Sequence, residues 1–285
     1  MRRMDYVEHA APDDLRRHVQ CLWMLRDDAP GDAIQVIYPD GRCELLVELG
    51  VPLRFHGDDG EIRADEAIVF AAQQLGPIRL QAAGPVHCIG LRLTPACSSI
   101  VAGAQLPLLR DRAPDLRMLD PEFAAQFHAA ALASVNTGDP EPLWHAIRLR
   151  CVGFVPDALI ERAVESIDAC NGDLRITTLA KELGSSLRTL QARFLAAVGM
   201  TPKEYARVRR LQALLRTLDS ERSDIADAAA RHGFNDQAHA THDLQRWTGT
   251  TPARLVRALR ADPDGRDALQ LAAAFLRGHA SRVAD

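Results

Sequence analysis

Residue types able to do chemistry fall into three groups along this 285-residue chain. Asp40, Glu44 and His87 are the carboxylates and imidazole that acid-base or metal chemistry on a β scaffold would need. His87-Cys88 with Cys43 or Cys21 would make a soft-metal or redox sensor if strands brought them together, although buried cysteines more often fill a core. Arg188 and Gln191 carry planar side chains, a guanidinium and a carboxamide, each able to make two hydrogen bonds to one partner. No motif stands behind the first two groups: the chain has no glycine-rich phosphate loop, G-x-S-x-G elbow or HExxH. The six cysteines, at 21, 43, 88, 97, 151 and 170, form no CxxC pair, so reduced thiols are expected and neither a metal nor a cofactor is called for.

The third group sits in a repeated frame. Ile176, Ala180, Gly184, Gly199 and Thr201-Pro202 recur as Ile225, Ala229, Gly233, Gly249 and Thr251-Pro252. Residues four apart share a helix face, a small alanine there lets a second helix cross closely, and the glycine supplies a tight turn. After Gly184, the run Leu187, Leu190, Phe194 and Val198 has helical apolar spacing, which leaves Arg188, Thr189, Gln191 and Ala192 pointing outward. Gln237, Ala238, His239, Thr241 and His242 take the corresponding positions in the second copy, with Leu244 in the place of Phe194 after one inserted residue. Between the copies, Thr201-Pro202-Lys203-Glu204 reads as a capping box opening one long helix, with an apolar stripe of Tyr205, Val208, Leu211, Leu215 and Leu218. Arg207, Arg209, Arg210 and Arg216 decorate its other faces, where some are expected to reach phosphates.

With LAKELGSSLRTLQARFLAAVGMTPKEYARVRRLQALLRTL and DIADAAARHGFNDQAHATHDLQRWTGTTPARL, the stretch from Asp173 to Leu255 resembles the DNA-binding domain of the AraC/XylS transcription regulators. That resemblance implies two helix-turn-helix units inserting recognition helices into successive major grooves of double-stranded DNA. It places Arg188, Thr189, Gln191 and Ala192, then Gln237, Ala238, His239 and His242, at the DNA. The chain departs from the family where Ala192 and His242 replace commonly basic residues and where Ala238-His239-Ala240 replaces Ser-His-Phe. RNA polymerase, a small-molecule effector and a second copy of the chain are further candidate partners.

The supporting elements differ between the two halves. Up to about Leu93 the sequence reads as short strands: Ala33 to Tyr38, a turn at Pro39-Asp40-Gly41, Cys43 to Leu49, Ala67 to Ala72, Ile78 to Ala82 and Val86 to Leu93. This is a hairpin-rich pattern in which Trp23, Phe55 and Phe70 read as core, and an antiparallel β sandwich or barrel is expected. Helices are expected near Pro95 to Ala104, Pro121 to Val135 and Glu141 to Cys151, flanking the sheet. Tyr38 to Val47, with Cys21-Leu22-Trp23 before it, resembles the cupin-like sensor domains found ahead of the DNA-binding module in one branch of the family. The fold class is therefore α+β in two domains, with residues 1–155 for effector binding or dimerisation, an all-α DNA-binding domain at 156–262 and a helical tail at 263–285.

Bulk properties agree without deciding the matter. Formal charge is −4 overall, but residues 1–156 carry −6 and residues 157–262 carry +2, too slight a basic excess to suggest nucleic acid alone. Neither a secretory signal nor a run of about 20 apolar residues is present, so a cytoplasmic protein with no membrane partner is expected. Two other readings stay open: control by protein contact through the helices of 95–151 or the tail, and an enzyme built on the β domain.

Overall fold

The computed structural model describes residues 4–57, 61–64, 67–220, 225–233, 237–251 and 254–255. Among the described residues, nine strands form two antiparallel sheets. Strands β1 (Met4–Ala10), β2 (Val19–Asp27), β4 (Glu44–Glu48), β7 (Ile68–Ala71) and β9 (Val86–Leu93) make a five-stranded sheet in the order β1-β2-β9-β4-β7. Strands β3 (Ile34–Ile37), β5 (Arg54–His56), β6 (Ile62–Ala64) and β8 (Ile78–Gln81) make a four-stranded sheet in the order β3-β8-β5-β6. Helices α1 (Ser99–Ala102), α2 (Leu116–Leu119), α3 (Pro121–Thr137) and α4 (Glu141–Cys151) follow.

The larger sheet is covered on both faces, which is why its central strand β9 reads as a nearly unbroken apolar run. One face, with Leu22, Leu45, Val47, Phe70, Ile89 and Leu91, packs on Phe123, Phe127, Leu143 and Trp144 of α3 and α4. The other, with Cys21, Trp23, Leu25 and Cys88, meets Leu53 and Ala82, which adjoin β5 and β8 of the smaller sheet. Trp23 and Phe70 are core, as expected, whereas Phe55 is half-buried. Trp23 lies across Gly90, its partner in register: a β-carbon at Gly90 would stand 2.0 Å from the indole.

Two local expectations are corrected. Strands β3 and β4 flank the Pro39-Asp40-Gly41 turn but do not form a hairpin, because β3 pairs with β8 in one sheet and β4 with β7 and β9 in the other. The helix expected over 95–104 is broken into a 3-10 turn at Pro95–Cys97, the single turn of α1 and a second 3-10 stretch, Gly103–Leu109, entered through Gly103 at φ +53°. Helices α3 and α4 fall where proline and acidic first turns place them, and the Asp120 side chain caps α3 by accepting from Phe123 N at 3.0 Å.

The C-terminal half is helical: α5 (Ala158–Ala169), α6 (Ile176–Glu182), α7 (Leu187–Val198), α8 (Pro202–Ser220), α9 (Ile225–Arg231) and α10 (Gln237–Thr248). The sequence repeat is a structural repeat, since α6 and α9 have equal length, as do α7 and α10. Gly184, Gly199, Gly233 and Gly249 all adopt positive φ, and Ala180 and Ala229 are buried at the helix crossings. The tail from 263 on lies outside the described residues. No helix among the described residues is long and apolar enough to cross a membrane.

Gly90→Ala is expected to lower stability by about 1 to 3 kcal/mol through overpacking against Trp23, measured as a fall in urea midpoint with the m-value unchanged.

Candidate nucleic-acid interface and the junction behind it

Helix α7 is presented by its own cap and turn. Ser186 Oγ accepts from Thr189 N at 3.0 Å and shares a 2.8 Å hydrogen bond with Thr189 Oγ1, while Gly199 at φ +87° ends the helix. Leu190, Phe194 and Val198 are buried, and Arg188, Thr189, Gln191 and Ala192 are exposed on the opposite side. Leu187, expected in the apolar run, is 36% exposed because it opens the first turn. Arg193, next along the exposed side, is tied to Asp157, the N-cap of α5, by two charge-assisted bonds of 2.5 and 2.7 Å.

In the second unit, Gln237, Ala238, His239 and His242 lie on the first turns of α10, and their side chains fall outside the described residues. Leu244 and Trp247 of that helix are buried against Ala228 and Ala229 of α9, so α10 repeats the packing of α7.

Helix α8 joins the units as expected. Thr201 N donates to Glu204 Oε2 at 2.8 Å and Glu204 N donates to Thr201 Oγ1 at 3.2 Å, the reciprocal capping box. The stripe Tyr205, Val208, Leu211, Leu215 and Leu218 is buried throughout. Of the arginines on its other faces, Arg209 is 9% exposed, Arg210 donates to two backbone carbonyls and Arg216 donates to Asn171 Oδ1, so these three guanidinium groups are engaged within the protein.

Their partners include a junction that spacing did not reveal. The turn at Pro39-Asp40-Gly41 lies against α8, with Gln212 Nε2 donating to Pro39 O at 2.6 Å and Arg209 Nη1 to Asp40 O at 3.3 Å. Gln73 Nε2 donates to Gly41 O at 3.2 Å. Gly41, at φ +80°, brings its backbone so near Tyr205 that a β-carbon would stand 2.8 Å from the ring. Arg42, the next residue, donates to Tyr205 Oη at 2.7 Å and to Asp168 Oδ2 at 3.3 Å. Tyr205 in turn donates to Asp168 Oδ1 at 2.8 Å, and Arg209 Nε stands 2.7 Å from the same oxygen.

Burial pushes the Tyr205 phenol well above its usual range despite Arg42, so it stays a donor to Asp168. Burial would lower Arg42, but Tyr205, Asp168 and Asp40 together hold it above its usual range. The one sequence signal for this cluster was Tyr205 itself, a polar-tipped side chain in a buried stripe, which needs a hydrogen-bond partner.

Apolar contacts cross the same boundary. Tyr38 and Ala96 belong to the core formed by α5 to α10. The back of α7 packs on residues 95–97 and 103–109, Gly199 rests on Leu106 and Gln73, and Gly249 of the second unit rests on Pro77 and Arg79. Arg17 with Glu161 at 2.8 Å and Arg110 with Glu204 at 3.2 Å add exposed ion pairs at its edges.

The other chemical groups do not assemble. Glu44 and Asp40 both flank Arg92, at 2.6 and 4.0 Å, whereas His87 occupies the alternate register of β9 and points to the opposite face. Arg92 is 1% exposed, and burial raises the Glu44 carboxyl even against its attraction. Cys21 and Cys88 share one core cluster and Cys43 lies in another. Burial pushes the Cys21 and Cys43 thiols up to about 12, which leaves them protonated at neutral pH and unreactive as thiolates.

Residues 179–258 match a family described as a helix-turn-helix domain, and residues 7–115 match one described as a domain of unknown function. The chain is 36% identical over 84 residues to the probable transcription factor PqrA of Proteus vulgaris, a stretch covering 30% of this chain and 69% of that protein. Among solved structures, ToxT of Vibrio cholerae bound to an unsaturated fatty acid aligns with 91% of this chain and 96% of its own at 11% identity, with a TM-score of 0.43. The AraC-like transcriptional activator CuxR aligns with 73% of this chain and 85% of its own at 17% identity and a TM-score of 0.31. A duplicated helix-turn-helix, with the family match over residues 179–258 and the identity to PqrA, makes the protein a DNA-binding transcription regulator. The chain belongs to the AraC family.

Replacing Arg42 by Ala is expected to cost about 3 kcal/mol, since it strips a buried charge from Asp168 and Tyr205. Tyr205→Phe, which keeps the ring, should cost about 2 kcal/mol by losing the bonds to two charged groups, both read from denaturant midpoints.

Proposed function

We propose that α7 and α10 are recognition helices occupying adjacent major grooves, with Arg188, Thr189, Gln191 and Ala192 at one groove and Gln237, Ala238, His239 and His242 at the other. The observation that carries this reading is the division of α7, whose one side is buried in the core while Arg188 and Gln191 stand exposed together on the other. Arg188 suits guanine and Gln191 suits adenine. Thr189 spends its hydroxyl on the helix cap, which leaves its methyl group for contact with thymine. His242, unlike an arginine, is not a permanent cation, so the second unit holds DNA less tightly than the first.

In the same reading, residues 1–155 bind an effector or a second subunit and residues 156–262 bind DNA. The junction of the 39–42 turn with α8 supports this division of labour, because a change in the β half that shifts the turn acts directly on the helix joining both DNA-reading units. Contact with RNA polymerase and assembly as a homodimer belong to the same proposal.

Selection of genomic fragments by the purified chain at near-physiological salt is expected to enrich a motif spanning adjacent major grooves. Arg188→Ala and Gln191→Ala should each reduce discrimination at one base position by about 1 to 3 kcal/mol while changing binding to random DNA little. Equal losses on selected and random DNA would remove Arg188 and Gln191 from base reading.

A further inference from the structure

The two helix-turn-helix units are joined by more than the helix between them. Arg210, on α8 and 20% exposed, donates from Nη1 to Gly233 O at 3.0 Å and from Nη2 to Gly172 O at 3.0 Å, with Asp173 Oδ1 3.5 Å from Nη2. Gly233 lies in the turn that leads to α10, and Gly172 in the loop that leads to α6. One guanidinium thus holds a backbone carbonyl of each unit. Both glycines have positive φ and close surroundings: a β-carbon at Gly172 would stand 1.9 Å from Ala206 O, and one at Gly233 2.6 Å from Asp173 Oδ1. The loop of the first unit and the turn of the second therefore touch each other as well as α8.

Nearby contacts repeat the arrangement, with Arg216 Nη2 donating to Asn171 Oδ1 at 3.1 Å and Thr217 Oγ1 sharing a 2.7 Å hydrogen bond with His232 Nε2. Ala206, Arg210 and Thr217 stand at helical spacing on one face of α8, within about 16 Å along its axis. A helix fixes the distance between its ends but not the rotation of the units attached there. A planar fork bonded to both units fixes that rotation, and a lysine ammonium, a point charge without the fork, would not reproduce it.

We propose that Arg210 is a positioning residue that sets the separation and phase of the two recognition helices, and so makes the protein selective for the spacing between its two half-sites. The proposal rests on the reading that α7 and α10 occupy adjacent grooves. Adding one base pair moves the half-sites by about 3.4 Å and rotates them by about 35°, which a braced pair of units cannot follow.

The test measures full-length wild type, Arg210→Ala, Arg210→Gln and Arg210→Lys on duplexes carrying the selected motif with its native spacer and with one or two base pairs added or removed. Wild type is expected to lose roughly tenfold or more in affinity at each altered spacing, the scale of a lost charge-assisted contact. Arg210→Ala should bind the native spacing more weakly yet vary only about threefold across the series, with Arg210→Lys intermediate. Arg210→Gln, which keeps one donor group, carries the comparison if the alanine variant does not fold. Spacing penalties as steep in the folded variants as in wild type would overturn the brace. A wild type that selects no bipartite motif would overturn the two-groove reading instead.

Discussion

Three successive carbonyls, of Pro39, Asp40 and Gly41, each receive a side-chain N–H, from Gln212, Arg209 and Gln73. A tight turn projects its carbonyls outward, and buried carbonyls must find donors. Two of these donors come from α8, so satisfying one turn's backbone fixes where the DNA-binding half sits. Arg42 continues the logic with charge, since its guanidinium leaves water for Asp168, Tyr205 and Gln20, which accept its hydrogen bonds. Core packing of Tyr38 and Ala96 and the backing of α7 by residues 95–97 and 103–109 lie along the same boundary.

What the sequence disclosed and what it concealed divide along the range of the interactions. The helix-turn-helix repeat was legible because its determinants are local: alanine at a crossing, glycine at positive φ, a capping box and a stripe of period 3.6. Strand β9 matched its apolar run from Val86 to Leu93 for the same reason. The pairing of β3 with β8 was not legible, because the Pro39-Asp40-Gly41 turn that looks like a hairpin loop is a passage between sheets. Strand pairing between segments far apart in the chain leaves no periodic signature.

The arginines show the same limit at the site. Arg207, Arg209, Arg210 and Arg216 look alike in sequence and suit phosphate contact, yet Arg209 answers Asp168, Arg210 answers two glycine carbonyls and Arg216 answers Asn171. Charge counted along the chain therefore overstates what is offered to DNA. The positions expected to face bases rest on firmer ground in α7, because the burial of Leu190, Phe194 and Val198 determines which side remains exposed.

The shared core of Tyr38, Ala96 and helices α5 to α10 bears on how such regulators can be recombined. A chimera that grafts a foreign N-terminal half onto residues 156 onward would leave the back of α7 and the Tyr205 phenol facing a surface never shaped for them. The transplantable unit is instead a DNA-binding half together with its matching patches, residues 38–42 and 95–109. Diversification within this architecture would then proceed more readily by altering the space between the two sheets and the exposed side of α7 than by shuffling whole domains.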